Sequence, residues 1–145
     1  MARALIVYAT HKGQTRNMAE IIGEGLRLAG VEAEVADVQR IRKPEDLVGY
    51  DAYVFGSATY HGDMMQPMKQ MLFLADQALL EGKVGGAFGA FGWSGEAPNR
   101  IFDTMRHIFK MDMVDGPLRL KSVALQGGLQ AAQEYGKKIA AKLGA

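Results

Sequence analysis

Three segments of this 145-residue chain hold the residue types that binding chemistry needs. Thr10-His11-Lys12-Gly13-Gln14-Thr15 places two hydroxyls and a glycine between a short apolar run and an amphipathic stretch. A strand followed by a helix would make this segment a phosphate site. The first-turn amides of a helix are unpaired, the helix dipole is positive there, and a compact loop aims several N–H groups at one dianion. Gly13 permits the tight backbone, and Thr10 and Thr15 can donate hydroxyl hydrogen bonds. The plainer alternative is a turn with Thr15 as helix N-cap. The segment matches neither the GxGxxG nor the GxxxxGK(S/T) pattern, so a monophosphate suits it better than a dinucleotide or a triphosphate.

The other two segments, Ser57-Ala58-Thr59-Tyr60-His61-Gly62-Asp63 and Phe91-Gly92-Trp93-Ser94-Gly95, pair small residues with a large aromatic. Such a combination suits a planar, largely apolar ring: aromatic stacking supplies contact area, and nearby backbone amides satisfy the ring's polar edge. Trp93 is the only tryptophan, and Gly92 and Gly95 would let the backbone approach closely.

Composition narrows the chemistry further. Hydrophobic residues make up 48% and charged residues 23%, the balance of a globular protein. With no cysteine there can be no disulfide, thiolate metal site or thiol redox chemistry, so any redox role needs a bound cofactor. Seventeen basic against sixteen acidic residues, scattered rather than clustered, argue against nucleic-acid binding. The N-terminal run lacks the pattern of a signal peptide and no stretch is long enough to span a bilayer, so a cytoplasmic protein with no membrane association is expected.

The elements that must position these segments follow from the apolar pattern. Short apolar runs at 4–9, 31–38, 52–56 and 84–91 read as strands, with a fifth between 113 and 125. Amphipathic spacing predicts helices over about 15–29, 67–81, 96–109 and 129–143, with a short one over 44–49. Met18, Ile21, Ile22, Gly25, Leu26 and either Leu28 or Ala29 form the buried stripe of the first; Met68, Met71, Leu72, Ala75, Leu79 and Leu80 form that of the helix beginning near Pro67. Strands alternating with helices indicate an α/β fold, a doubly wound five-stranded parallel sheet covered on both faces and made as one domain over residues 1–145. Ligands of such sheets bind at the carboxyl ends of the strands, where strand order reverses. The three segments fall there.

At this point the chain resembles the flavodoxin family, whose first loop reads roughly Thr-x-Thr-Gly-x-Thr and wraps the phosphate of FMN. Here Lys12 and Gln14 depart from the commonest residues of that loop. Gly92-Trp93-Ser94-Gly95-Glu96-Ala97 is similar to the corresponding stretch in the flavodoxin domain of flavodiiron, or A-type, flavoproteins, as is Thr59-Tyr60 followed by Met64 and Pro67. The resemblance covers essentially the whole chain. It implies one noncovalent FMN, no catalytic residue, and electron exchange with protein redox partners: a reductase or ferredoxin-like donor and an acceptor left open. A monomer or weak dimer is expected. His61 or Gly62 would meet the flavin's N5 edge, and Met64 and Met65 could line its exposed edge. The separate iron domain of flavodiiron proteins needs many histidines, and this chain has three, His11, His61 and His107.

Two other readings compete. An FMN enzyme reducing quinones or oxidising a porphyrinogen would need substrate space beside the ring, and no insertion supplies it. A flavin-free phosphoacceptor domain would need acidic residues at the ends of the first and third strands, which instead read Tyr-Ala-Thr and Phe-Gly-Ser.

Overall fold

Ala4–Ala9, Ala52–Ser57 and Val84–Ala90 are buried at every residue, because these runs form the central strands of a sheet covered on both faces. In the computed structural model, which describes all residues except Trp93 and Gln126, they belong to β1 (Arg3–Ala9), β3 (Ala52–Ser57) and β6 (Val84–Ala90). β2 (Glu32–Asp37) is an edge strand and alternates half-exposed glutamates with smaller residues. Two further segments, β4 (Thr59–Tyr60) and β5 (Asp63–Met64), form a small antiparallel hairpin directly after β3. β7 (Asp112–Met113) and β8 (Leu118–Leu120) both pair with β6. The main sheet is parallel, in the order β2-β1-β3-β6 with β7 and β8 sharing the last position.

The fifth strand expected between residues 113 and 125 is therefore two pieces, broken at Asp115-Gly116-Pro117, where proline has no N–H for the ladder. The break leaves the Ala87 amide of β6 without a strand partner, and a side chain fills the gap. Ala87 N–H donates to the Tyr135 hydroxyl at 3.0 Å, which in turn donates to the Gly116 carbonyl at 2.7 Å. Burial pushes the Tyr135 phenol well above its ordinary pKa, so the hydroxyl keeps the proton it donates.

α1 (Gln14–Leu28) and α4 (Gly128–Lys142) pack together on one face; α2 (Gln66–Gln77) and α3 (Glu96–Asp103) form the connections on the other. α1 and α4 touch backbone to backbone: a Cβ on Gly136 would lie 2.3 Å from the Ile22 carbonyl oxygen, and one on Gly25 would lie 2.2 Å from that of Gln133. α1 ends as expected at Gly30, where the Val31 and Gly30 amides donate back to the Leu26 and Arg27 carbonyls. Of its predicted stripe, Met18, Ile22, Gly25 and Leu26 are buried, whereas Leu28 is 65% exposed.

α2 stops earlier than its apolar pattern suggests. Leu79 takes a left-handed conformation (φ 57°) just past the end and is 84% exposed, while Leu80 folds back into the core. α3 is also shorter than expected and continues as a π-turn over Thr104–Ile108, where Phe109 N–H donates to the Thr104 carbonyl five residues back.

Candidate functional site

Strand order reverses between β1, which leads to β2 on one side, and β3, which leads to β6 on the other. The carboxyl ends of β1, β3 and β6 thus bring all three predicted segments to one crevice. One cleft there, of about 290 Å³, is lined by Thr10, His11, Lys12, Gln14 and Thr15 from the first segment. Ala58, Thr59 and Tyr60 form its second wall, and Ala90, Phe91, Gly92 and Lys121 its third. A neighbouring cavity of about 340 Å³ is lined by Thr59, His61, Gly62, Gly92 and Ser94. Thr59 and Gly92 belong to both, so the two spaces adjoin.

The floor of the first segment is set by local geometry. Gly13, in the left-handed region at φ 88°, is the N-cap of α1, displacing Thr15 from the role the capped-turn alternative gave it. Gly13 N–H donates to Thr10 Oγ1 at 3.0 Å, which closes the loop on itself. The first intrahelical bond runs from Asn17 N–H to the Gly13 carbonyl at 3.0 Å, so the amides of residues 14, 15 and 16 precede the ladder and point out of the helix end. Thr15 is fully buried, and its Oγ1 accepts the Ala90 N–H of β6 at 3.2 Å. One side chain therefore ties the start of α1 to the end of β6 while its own hydroxyl hydrogen remains to be donated. Lys12 and Lys121 add positive charge to the same cleft.

The second segment is held by the hairpin. Ser57 is fully buried and lines neither cavity; its hydroxyl accepts the Met65 N–H at 3.0 Å and donates to the Ala58 carbonyl at 2.9 Å, pinning the returning strand. This bonding gives Ser57 a role in shaping the wall. The turn is made by His61 (φ 51°) and Gly62 (φ 75°), both left-handed. Asp63 fastens its far side through Lys69 Nζ at 2.5 Å, Arg100 at 3.8 Å and the Met64 amide at 2.7 Å, and the Lys69 ammonium holds its carboxyl below the usual range. Tyr60 stands 54% exposed between His11, ring centroids 5.7 Å apart, and His61, at 4.3 Å.

The third segment turns into α3. Gly95 is the N-cap of α3 and packs near Phe91 and Arg119 rather than lining either space. Ala97 N–H donates to Thr59 Oγ1 at 3.2 Å, which joins the second and third walls. The expectation that Trp93 contacts a ring falls outside the described residues. Met64 is buried behind the hairpin, so of the two methionines only the half-buried Met65 stays partly accessible.

Sequence reasoning missed Ala90, Lys121 and Glu96. Lys121 follows β8, and the rule that ligands gather at strand carboxyl ends would have found it had the last loop been included. Glu96 stands inside the Gly92–Ala97 stretch; Ser94 beside it holds its carboxyl below the usual range, while its Oε1 is buried with no partner among the described residues. The crevice thus offers convergent N–H and O–H donors with two lysines at one end, apolar and aromatic surface between, and an unmatched buried acceptor at the other. That is the donor and acceptor set for a phosphate-bearing, flat heteroaromatic molecule. Among the described residues no three His, Asp or Glu side chains gather as a metal site, and no helix is long and apolar enough to cross a membrane.

The pattern of the Flavodoxin family matches residues 6–136. A flavodoxin from the domain Archaea is 33% identical in sequence and superposes with a TM-score of 0.91 over 99% of both chains. The type A flavoprotein of Rhodobacter capsulatus is 30% identical over 140 residues, covering 94% of this chain and 32% of that protein. The flavodiiron protein of Giardia intestinalis, at 24% identity, shares the fold with a TM-score of 0.87 over 97% of this chain and 36% of its own. The chain spans about a third or less of the length of several curated relatives it matches. With the crevice and these likenesses together, the chain belongs to the flavodoxin family.

Proposed function

We propose that this flavodoxin holds one FMN in the two adjoining spaces and passes electrons between protein partners, with no substrate of its own. The observation that carries the reading is the meeting, at the carboxyl ends of β1, β3 and β6, of the open first turn of α1 with the Tyr60 hairpin and the Phe91–Gly95 loop. The amides of residues 14–16, the Thr10 and Thr15 hydroxyls, and Lys12, Gln14 and Lys121 would hold the phosphate. Tyr60 and, from its motif, Trp93 would cover the ring; Ala58, Ala90, Phe91 and Gly92 would line its apolar side. The His61–Gly62 turn and Ser94 would face its polar edge. Bound FMN supplies the redox chemistry, and the chain supplies anchoring, exclusion of water and a fixed field.

Tyr60, half exposed at the crevice mouth beside partly accessible Met65, marks the side on which a donor such as a reductase or ferredoxin-like protein, and an acceptor, would dock. A net charge of +1 and a sequence pI near 8.0 give little long-range steering, so contact with partners would rest on apolar surface more than on opposed charge. The protein would act in the cytoplasm as a monomer or weak dimer. The test is titration of the FMN-free protein with FMN, followed by quenching of flavin fluorescence, and then with riboflavin. The reading expects one FMN per chain and weaker riboflavin binding, with no steady oxidation of NADH or NADPH when a quinone is added. Absent FMN binding, or sustained quinone turnover, would defeat it.

A further inference from the structure

The first turn of α3 is wired into the second cavity more closely than a helix start requires. Ala97 N–H donates to Thr59 Oγ1. Ser94 beside it and the nearby Arg100 and Arg119 hold the Glu96 carboxyl in its ionised form. The other side of the carboxylate faces the hairpin turn: a Cβ built on Gly62 would meet Glu96 Oε2 at 3.7 Å. Thr59, Gly62 and Ser94, three of the five residues around this cavity, thus lie beside residues 96 and 97.

A glutamate in a helix's first turn is favourable for the dipole alone, and an exposed one needs no other reason. Glu96 differs in one atom. Its Oε1 is closed to solvent and has no donor among the described residues, an arrangement that costs free energy unless a donor arrives or the charge has a use. The arginines do not supply that donor: Arg100 reaches Asp63 at 3.8 Å, and neither Arg100 nor Arg119 bonds to Oε1.

We infer that Glu96 is a positioning and tuning residue for the flavin, backing the His61–Gly62 turn and placing a fixed negative charge behind the cavity that would take the ring's polar edge. The inference rests on the FMN reading above. Reduction adds electron density to the ring, and an anion held behind its polar edge in a partly desolvated site opposes that gain. Glu96 thus lowers the affinity for reduced flavin relative to oxidised flavin, which is the same as lowering the reduction potential.

The experiment compares FMN-loaded wild type, Glu96→Gln and Glu96→Ala by fluorescence titration with oxidised FMN and by reduction in equilibrium with a dye of known potential. Glu134→Gln, on an exposed part of α4, controls for the change in net charge. In both Glu96 variants the ratio of reduced to oxidised FMN affinity should rise about tenfold, equivalent to about 30 mV for a two-electron couple. Glu96→Gln should bind oxidised FMN within a fewfold of wild type, and Glu134→Gln should match wild type throughout. FMN bound by both variants at the wild-type potential, or a potential shifted the other way, would overturn the role of Glu96. Wild-type protein that fails to bind FMN would overturn the underlying reading instead, so the two failures are told apart by the first titration.

Discussion

Replacing Thr15 with valine separates the two duties assigned to one side chain. Valine keeps the shape and deletes the hydroxyl. In the FMN-free protein, the buried Ala90 amide then loses the side-chain acceptor it has in Thr15 Oγ1 at 3.2 Å. An unsatisfied buried donor costs about 1–3 kcal/mol, and in a domain of this size each kcal/mol lowers the melting temperature by roughly 2–4 °C. The FMN-free variant should therefore melt roughly 2–12 °C below wild type and show the matching loss in urea unfolding with an unchanged slope. The second duty is the hydrogen bond proposed to the phosphate. A hydrogen bond to a charged group is worth about 1.5–3 kcal/mol, so FMN affinity should fall about ten- to a hundredfold while riboflavin affinity falls much less. Thr15→Ser, which retains the hydroxyl, should restore most of both. Wild-type stability in the FMN-free valine variant would refute the assigned bond to Ala90. Equal losses of FMN and riboflavin affinity would refute the phosphate contact.

Two further perturbations test the frame around the site. Gly136→Ala gains about 1 kcal/mol of helix propensity, yet its Cβ would stand 2.3 Å from the Ile22 carbonyl oxygen; overpacking of about 1–3 kcal/mol or more should win, giving a lower urea midpoint, and a stabilised variant would contradict the close α1–α4 contact. Asp63→Asn tests the hairpin. The folded-state pKa of Asp63 is lowered, so its stabilisation is present above its unfolded value, near pH 4, and is lost as pH falls through the lower folded value. The asparagine variant should be less stable at neutral pH by about 1 kcal/mol and show a shallower loss of stability between about pH 4 and pH 2; parallel acid-unfolding curves would count against the Lys69 and Arg100 pairing.

Much of this arrangement is legible in the sequence because it rests on local signals. The central strands are continuous apolar runs, the helices repeat at three- and four-residue spacing, and Gly13 and Gly30 stand where left-handed backbone is needed. The parts that were not legible depend on residues far apart in the chain. Nothing near Thr15 signals that it will receive the Ala90 amide, 75 residues away. The break in the fifth strand is marked locally by Pro117, but its repair by Tyr135 is not. The hairpin of Thr59–Met64 is too short to carry a period, so the sequence gives no sign that Ser57 is the buried peg that holds it. Leu79 satisfies the helical spacing and still faces solvent, because the helix has already ended. Lys121 enters the cleft only once β8 is aligned with β6.

The most direct test of the central claim is the visible spectrum of the FMN-loaded protein during stepwise photoreduction. As an electron carrier with a sheltered ring, the protein should hold FMN through gel filtration and pass through a one-electron-reduced form with long-wavelength absorption before bleaching fully. Loss of the flavin on the column would contradict FMN binding in the crevice, and direct bleaching without the intermediate form would contradict one-electron carriage.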